Sequence, residues 1–340
     1  MLSAASQVLI RNQEYLEAES VLLVNHLNDG FAEQLCTLYP NAKITAFTSI
    51  LTNQADAKHA NFEQVVAAEL PQGPFDLVVL YYPKAKAEAQ MLLDNIRAIS
   101  TDSTRLLVVG ENKGGVKSAI KQLKDDAQFS RKVDSARHCS LFQFSGLALN
   151  PDFQLANYAK QFEINVAGTP LSLVTLPGVF SHGELDKGTE ILLETIKLNN
   201  PKRLLDFATG CGVISTFLAK HNSQCQIVAS DVSALALAAA QLTFAQNGVH
   251  AELKLADGIS SIDAKFDYIV SNPPFHTGLA TNYDITQLFI ADAKKRLNKH
   301  GELLIVANSF LPYADALTSE FGSFKKLEDN KKFTIYSATA

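Results

Sequence analysis

The segments "FDLVVLYYP" (75–83) and "FDYIVSNPP" (266–274) lie in opposite halves of a 340-residue chain and share an opening Phe-Asp, an apolar run and a proline stop. A strand pattern that recurs in this way obliges the chain to build one sheet plan twice, since each copy buries the same apolar positions. The neighbouring segments repeat too. The first half offers strands at "SVLLVNH" (20–26), "KITAFTS" (43–49), 75–83 and "TRLLVVG" (104–110), then "FSRKVDSARHCSLFQF" (129–144). The second offers "RLLDFA" (203–208), "QIVASD" (226–231), "FDYIVS" (266–271) and "GELLIVA" (301–307). It closes with "FKKLEDNKKFTIYSA" (324–338), two strands about an Asp-Asn turn. Helical stretches intervene: "VSALALAAAQLTFAQNG" (232–248) is Ala-rich with an Asn-Gly stop, and "ITQLFIADAKKRLNKHG" (285–301) is apolar at helical spacing. Strands alternating with helices predict a parallel, doubly wound sheet with an antiparallel edge hairpin. The expected plan is α/β, with two Rossmann-like domains in tandem at 1–150 and 166–340 and a linker at 151–165.

The copies differ in their polar residues. At the place of Asp206 the first half has Asn25, and at the place of Asp231 it has Thr48. Tyr81-Tyr82-Pro83 stands where the second half has Asn272-Pro273-Pro274, and only Gly30 answers the pair Gly210 and Gly212. The N-terminal copy therefore reads as degenerate: a fold kept for support or recognition, without its own ligand.

Composition excludes several classes. A hydrophobic content of 47% suffices for two packed cores, yet no apolar run approaches the ~20 residues of a membrane span. The opening "MLSAASQVLIRNQEYLEAES" carries acids and lacks a long apolar core, so it is not a signal peptide. Cys36, Cys139, Cys211 and Cys225 form no C-x-x-C pair and the histidines form no ligand pattern, which argues against a metal site or a disulfide framework. A cytoplasmic, metal-free, monomeric protein is expected. The net charge of −5 does not announce a nucleic-acid partner, but binding needs only a local basic patch.

"LLDFATGCGVIST" (204–216) places an acid at the end of an apolar strand, then small residues, then a helix start. Ala208, Gly210 and Gly212 would let the backbone approach a ligand closely. Asp231 ends the next strand, placed to accept from ribose hydroxyls, and Asp257 follows a further strand in "LKLADG" (253–258). Taken singly, the glycines could merely turn the chain and Asp231 could cap a helix. Three consecutive acidic strand ends favour a nucleoside. A dinucleotide loop would want a third glycine where Ser215 stands, and Asp206 would repel a pyrophosphate but attract an ammonium group.

Asn272-Pro273-Pro274-Phe275 then stops the most strand-like segment of the chain. It could be only a strand terminator. Chemically it is more. An exocyclic amine on a nucleobase is a poor nucleophile because its lone pair is delocalised into the ring. Two fixed acceptors on its hydrogens would favour a pyramidal nitrogen and stabilise the positive charge that grows there. Asn272 supplies a side-chain carbonyl and Pro273 a backbone carbonyl, both rigid because each precedes a proline. Phe275 offers a flat face for the base, worth roughly 1–3 kcal/mol.

The run from Asp206 to Gly212 resembles the acid-x-Gly-x-Gly-x-Gly motif of class I S-adenosylmethionine-dependent methyltransferases, with Ala208 at the first glycine. Asn272-Pro273-Pro274-Phe275 is similar to the Asn/Asp-Pro-Pro-aromatic motif of amino-methyltransferases. Upstream, "LPGVFSHGELDKGTEILLETI" (176–196) follows a hairpin turned at Gly168-Thr169-Pro170; with "NPPFHTG" and "IVANSFLPY" it resembles, over the entire chain, the bacterial small-subunit ribosomal RNA guanine-N2 methyltransferases of the C type. That resemblance implies two tandem class I domains, the N-terminal one degenerate, and S-adenosyl-L-methionine held by Asp206, Ala208, Gly210, Gly212, Asp231, Asp257 and Asn272. It implies methylation of the exocyclic N2 of one guanine in 16S rRNA within 30S particles. It places Phe180, Ser181, Lys187 and Pro274 beside cofactor and substrate; for the first three ordinary loop packing stays open.

Lys113, Lys117, Lys121 and Lys124 recur at helical spacing and, with Lys84 and Lys86, could contact RNA phosphates or simply form a solvated helix face. Two alternatives remain at this stage. One is a methyltransferase of the same two-domain plan acting on 23S rRNA. The other, from a different class, is a non-catalytic RNA-binding assembly factor, which would need a second half as eroded as the first.

Overall fold

The structure is a computed structural model and describes residues 1–53, 58–180, 183–273 and 281–340. It divides into units Met1–Tyr158 and Ala159–Ala340. In the first, α1 (Ala4–Arg11), β1 (Ser20–Val24), α2 (Phe31–Leu38), β2 (Lys43–Thr48), β3 (Phe62–Val66), β4 (Leu77–Tyr81), α3 (Lys86–Ile99), β5 (Arg105–Glu111), α4 (Ala119–Gln122), β6 (Ala127–Ala136) and β7 (Cys139–Leu147) follow in order. The sheet runs β3-β2-β1-β4-β5-β7-β6, with β1 to β5 parallel and the β6–β7 hairpin antiparallel at one edge.

The second unit opens with a separate hairpin, β8 (Lys160–Val166) and β9 (Thr169–Thr175), followed by α5 (Lys187–Thr195), β10 (Arg203–Phe207), α6 (Val213–His221), β11 (Gln226–Asp231) and α7 (Ala234–Asn247). Then come β12 (Glu252–Leu255), β13 (Phe266–Ser271), α8 (Thr281–Arg296), β14 (Leu297–Asn308), α9 (Tyr313–Phe321), β15 (Lys325–Asp329) and β16 (Phe333–Thr339). Its sheet order, β12-β11-β10-β13-β14-β16-β15, is that of the first unit position for position. The expected duplication of an α/β sheet is what the chain builds.

Apolar strands with no polar face need cover on both sides. Leu205, Phe207 and Ile269 pack with residues of α8 and α9, while Leu204 and Val270, pointing the other way, pack with residues of α5 and α6. The first unit divides its core in the same manner, Leu23 and Val79 on one face, Leu22 and Val78 on the other.

Four expectations change. The segment 151–165 is not all linker: the units part after Tyr158, and β8 begins at Lys160 with Phe162, Ile164 and Val166 turned to the core. Its hairpin is fastened to α7, where Thr243 Oγ1 accepts from Val174 N (2.9 Å) and donates to Val174 O (3.1 Å). Helix 285–301 instead ends at Arg296 and passes directly into β14, whose ladder with β13 jumps from Phe266↔Leu297 to Tyr268↔Glu302. Gly301 sits in that irregularity, where a Cβ would lie 2.9 Å from Asn298 O. The lysine row is not one helix either. Gly115 (φ +90°) opens a turn, a 3-10 stretch covers Val116–Ser118, and α4 has four residues, so Lys113, Lys117, Lys121 and Lys124 share no single face.

The fourth change is one of register. Val21 pairs with Ile44 and Leu77, and Leu204 pairs with Ile227 and Tyr268. Counting on, Leu23 rather than Asn25 takes the place of Asp206, and Asn25 takes that of Ala208. Both of the latter are left-handed, at φ +55° and +58°. Asn25 lies two residues beyond Leu23, so sheet register and not polar character sets the correspondence. Thr48 and Tyr81 do fall at Asp231 and Asn272. Tyr81 is 5% exposed, its hydroxyl 2.8 Å from Ser6 Oγ and its ring edge-on to Phe31 at 6.2 Å. A core leucine and a packed tyrosine thus occupy the positions where the second unit carries polar chemistry.

Candidate active site

Strands β10 and β13 are neighbours whose chain connections leave in opposite directions, β10 towards β11 and β13 towards β14, so a crevice opens outside their carboxyl ends. Asp206, at the penultimate position of β10, is fully buried. Its Oδ2 accepts from Thr209 Oγ1 (2.6 Å), Ser215 N (2.9 Å) and Ser215 Oγ (2.7 Å), binding the glycine loop to the first turn of α6. Ser215, at the third-glycine position, is thus a structural partner of Asp206. Burial pushes this carboxyl up to about 6, against the pull of the hydroxyl and amide donors. Oδ1 is buried and has no hydrogen-bond partner among the described residues.

The two loop glycines have separate reasons. At Gly210 (φ +56°) a Cβ would meet nothing within 4 Å, so this backbone faces open space. At Gly212 (φ +84°), the N-cap of α6, a Cβ would stand 2.7 Å from the Phe244 ring, so glycine is there for α6–α7 packing. Ala208 adopts a left-handed conformation that costs a residue with a Cβ about 1–2 kcal/mol. Cys211 is buried and its thiol pushed up to about 11 by burial, which keeps it protonated near neutral pH.

Asp231, half-buried at the end of β11, accepts from Gly210 N (3.0 Å) through Oδ2 and from Ser233 N (2.9 Å) through Oδ1. Burial raises its pKa. Each ionised oxygen retains capacity for a second hydrogen. Asp257 is exposed just past β12. An orphaned buried carboxylate oxygen suits an ammonium group, the Cβ-free face at Gly210 suits close approach, and Asp231 suits two hydroxyls. These residues fit S-adenosyl-L-methionine.

Asn272 follows β13 directly. Its Nδ2 donates to Asp186 Oδ2 (2.9 Å) and Thr189 Oγ1 (2.9 Å), while Ser271 Oγ donates to Phe207 O (2.7 Å) and fixes the end of β13 to β10. Asp186 is also the N-cap of α5, accepting from Thr189 N at 2.9 Å. An ionised carboxylate only accepts, so the amide nitrogen faces it and the Asn272 carbonyl points the other way. Pro273 is buried. Pro274, Phe275 and Ser181 lie outside the described residues. Phe180 is 64% exposed, and Lys187 pairs with Glu190 on the flank of α5. In the first unit Lys84, Lys86, Lys113 and Lys117 are all exposed. Tyr82 Oη donates to Gln122 Oε1 (2.7 Å), and Gln122 Nε2 to Lys86 O (3.2 Å), which brings the 84–86 and 113–124 segments together.

Asp186 and Thr189 were missed as site residues in the sequence. Their signal was present as a helix-capping Asp inside "LDKGT", but nothing local says that the cap also reaches a strand end 86 residues away.

Comparison with known proteins fits this geometry. The family described as methyltransferase small domain matches residues 170–337, and the methyltransferase small domain N-terminal family matches 6–162. A protein of Pseudoalteromonas translucida named ribosomal RNA small subunit methyltransferase C is 46% identical over 339 residues, 99% of each chain. A protein of the same name from Shewanella sp. (strain MR-4) is 39% identical, again over 99% of both. The chain belongs to the ribosomal RNA small subunit methyltransferase C family. The T. thermophilus 16S rRNA N2 G1207 methyltransferase, solved with AdoMet and guanosine, superposes with a TM-score of 0.80 at 22% identity, covering 99% of this chain and 92% of that one. That likeness establishes the shared fold, and membership establishes a methyltransferase. Among the described residues no group of His, Cys, Asp and Glu could hold a metal, and no helix is long and apolar enough to cross a membrane.

Proposed function

We propose that this protein transfers the methyl group of S-adenosyl-L-methionine to the exocyclic N2 of a guanine in 16S rRNA. The observation that carries the reading is the fixed Asn272 amide, whose carbonyl is turned away from Asp186 and Thr189 at the mouth of the β10–β13 crevice. Asp206, Ala208, Gly210, Gly212, Asp231 and Asp257 would hold the cofactor, which supplies an electrophilic methyl group on a sulfonium. Asn272 Oδ1 accepts one hydrogen of the substrate amine, and the Pro273 carbonyl accepts the second. With both hydrogens held, the nitrogen lone pair leaves conjugation, and the two oxygens stabilise the developing positive charge without reorganising. The N–C bond would form as the methyl–sulfonium bond breaks, leaving a neutral thioether, and the alkylated nitrogen then loses one hydrogen to solvent. No side-chain base is needed to begin the step, because the nitrogen becomes strongly acidic only as it is alkylated. Phe275 stacks on the guanine, which must leave its helical stack to enter.

The substrate is the assembled 30S particle and the protein works as a cytoplasmic monomer, with Lys84, Lys86, Lys113 and Lys117 on RNA phosphates. The 23S rRNA alternative is disfavoured by membership of a small-subunit family. The assembly-factor alternative is disfavoured by the polar site kept in the second unit. Labelled cofactor incubated with each ribosomal subunit separately, followed by mapping of the modified nucleotide, tests the reading. Label in 30S at one guanine N2 is expected, and Asn272→Ala should abolish it while calorimetric cofactor affinity stays near that of the parent. Label confined to 50S, or full activity in Asn272→Ala, would reject it.

A further inference from the structure

We propose that Asp186 and Thr189 are positioning residues that fix the orientation of the Asn272 amide, and thereby make the site a reader of amines. The proposal rests on the reading of Asn272 as an acceptor.

An asparagine amide turns about its last torsion at little steric cost, and its two ends have opposite hydrogen-bonding character. Left unguided, Asn272 would present its NH2 to the crevice much of the time. A donor set against a substrate amine is repelled by it, and would instead favour a ring nitrogen or carbonyl oxygen. Two acceptors on Nδ2 remove that choice. Asp186 Oδ2 and Thr189 Oγ1 each stand 2.9 Å from it. The polarity is consistent along the chain of contacts. Thr189 Oγ1 directs its own hydrogen to Asp186 Oδ2 (3.4 Å), which leaves a lone pair for the amide.

The surroundings hold this pair of acceptors in place. Capping of α5 by Asp186 through Thr189 N anchors the carboxylate to a helix terminus. Gly188 keeps room for it: a Cβ there would lie 3.0 Å from Asp186 Oδ2 and 3.2 Å from the Phe333 ring. Capping alone would account for an acceptor at residue 186, but not for its second contact with Asn272. Nor does capping need the Thr189 hydroxyl, since the capping bond uses Thr189 N.

Both bonds fall on the same oxygen, Asp186 Oδ2, so an asparagine carbonyl could keep both. Serine caps a helix as well as aspartate does but is too short to reach Asn272 as well, and Asp186→Ser therefore separates the two roles. Full-length parent, D186S, T189V, N272A, N272D and the double variant D186S/N272D would be compared on 30S particles by single-turnover transfer from tritiated S-adenosyl-L-methionine. Cofactor affinity by calorimetry and the melting temperature would be measured alongside. D186S should keep its melting temperature and its cofactor affinity, yet transfer about 100-fold more slowly, the cost of a reacting group held out of place. T189V should fall in the same direction by about tenfold, having lost one of two acceptors. N272D sets one carboxylate against another and should be inactive. In D186S/N272D the opposing carboxylate is gone and the Thr189 hydroxyl can donate to the introduced carboxylate, whose other oxygen still accepts from the substrate, so transfer should recover at least about tenfold over N272D.

Transfer by D186S and T189V within about threefold of the parent, with N272A inactive, would overturn the positioning role and leave the proposed function standing. Cofactor affinity or melting temperature falling in parallel with rate, with no recovery in the double variant, would also overturn it in favour of a purely structural role. An active N272A would instead bring down the proposed function itself.

Discussion

Asp206 carries the most perturbed carboxyl of the candidate site, and its protonation has a measurable consequence. Burial raises it to about 6 in the folded protein, against an ordinary value near 3.8. Folded protein therefore holds this proton at pH values where the unfolded chain has lost it. The stability it contributes is present below about pH 4 and is lost as pH rises through about 6. Cofactor binding should run the opposite way, since an ammonium group beside Oδ1 prefers the ionised carboxylate. Affinity for S-adenosyl-L-methionine, followed by calorimetry, should strengthen between pH 5.5 and 7.5, and Asp206→Asn should flatten that rise. A parent profile with no rise would place the ammonium elsewhere. The acid at the end of β10 was legible in the sequence, but its burial was not. Three donors on Oδ2 and an orphaned Oδ1 depend on the turn that returns Thr209 and Ser215 to it.

At the scale of elements, the glycine loop divides its work between a ligand face and a helix contact. Gly212→Ala drives a methyl group to within 2.7 Å of Phe244 in a left-handed residue, so it should destabilise the second unit by more than about 2 kcal/mol in denaturant titration. Gly210→Ala meets open space and carries only the left-handed cost of about 1–2 kcal/mol, but its methyl group lies where the cofactor would approach. Its larger effect should be on cofactor affinity. Equal stability losses in the two variants would remove the distinction. From the sequence the two glycines read alike, because the motif records spacing and not which helix lies behind each Cα. Helix ends escaped for a related reason. Lysines and Gly301 read as the end of α8, yet the ladder with β13 recruits Leu297 into β14 directly after Arg296.

For the whole molecule, duplication separates chemistry from support. The first unit keeps the strand order of the second while Leu23, Thr48 and Tyr81 fill the positions of Asp206, Asp231 and Asn272. A unit with its site filled is free to present charge. Lys113→Glu together with Lys117→Glu should weaken binding to 30S particles and lower the magnitude of the salt slope, by about 0.7–0.9 for each lost phosphate contact. Binding measured from 50 to 300 mM salt gives that slope, and an unchanged value would remove these lysines from the RNA footprint. Catalysis at saturating particle concentration should change little, since neither lysine belongs to the methyl-transfer site.

Periodicity and composition determined by themselves that the chain forms two α/β sheets, which half keeps polar strand ends, and that a rigid Asn-Pro-Pro follows a buried strand. Such features are local: apolar alternation and the geometry of proline are written in consecutive residues. Only the folded chain decided that β8 belongs to the second unit, that Leu23 stands at the register of Asp206, and that Asp186 and Thr189 orient Asn272. Each of these depends on residues far apart in sequence meeting at a distance fixed by sheet register and helix packing, and hydrogen-bond polarity at 2.9 Å cannot be inferred from either partner alone.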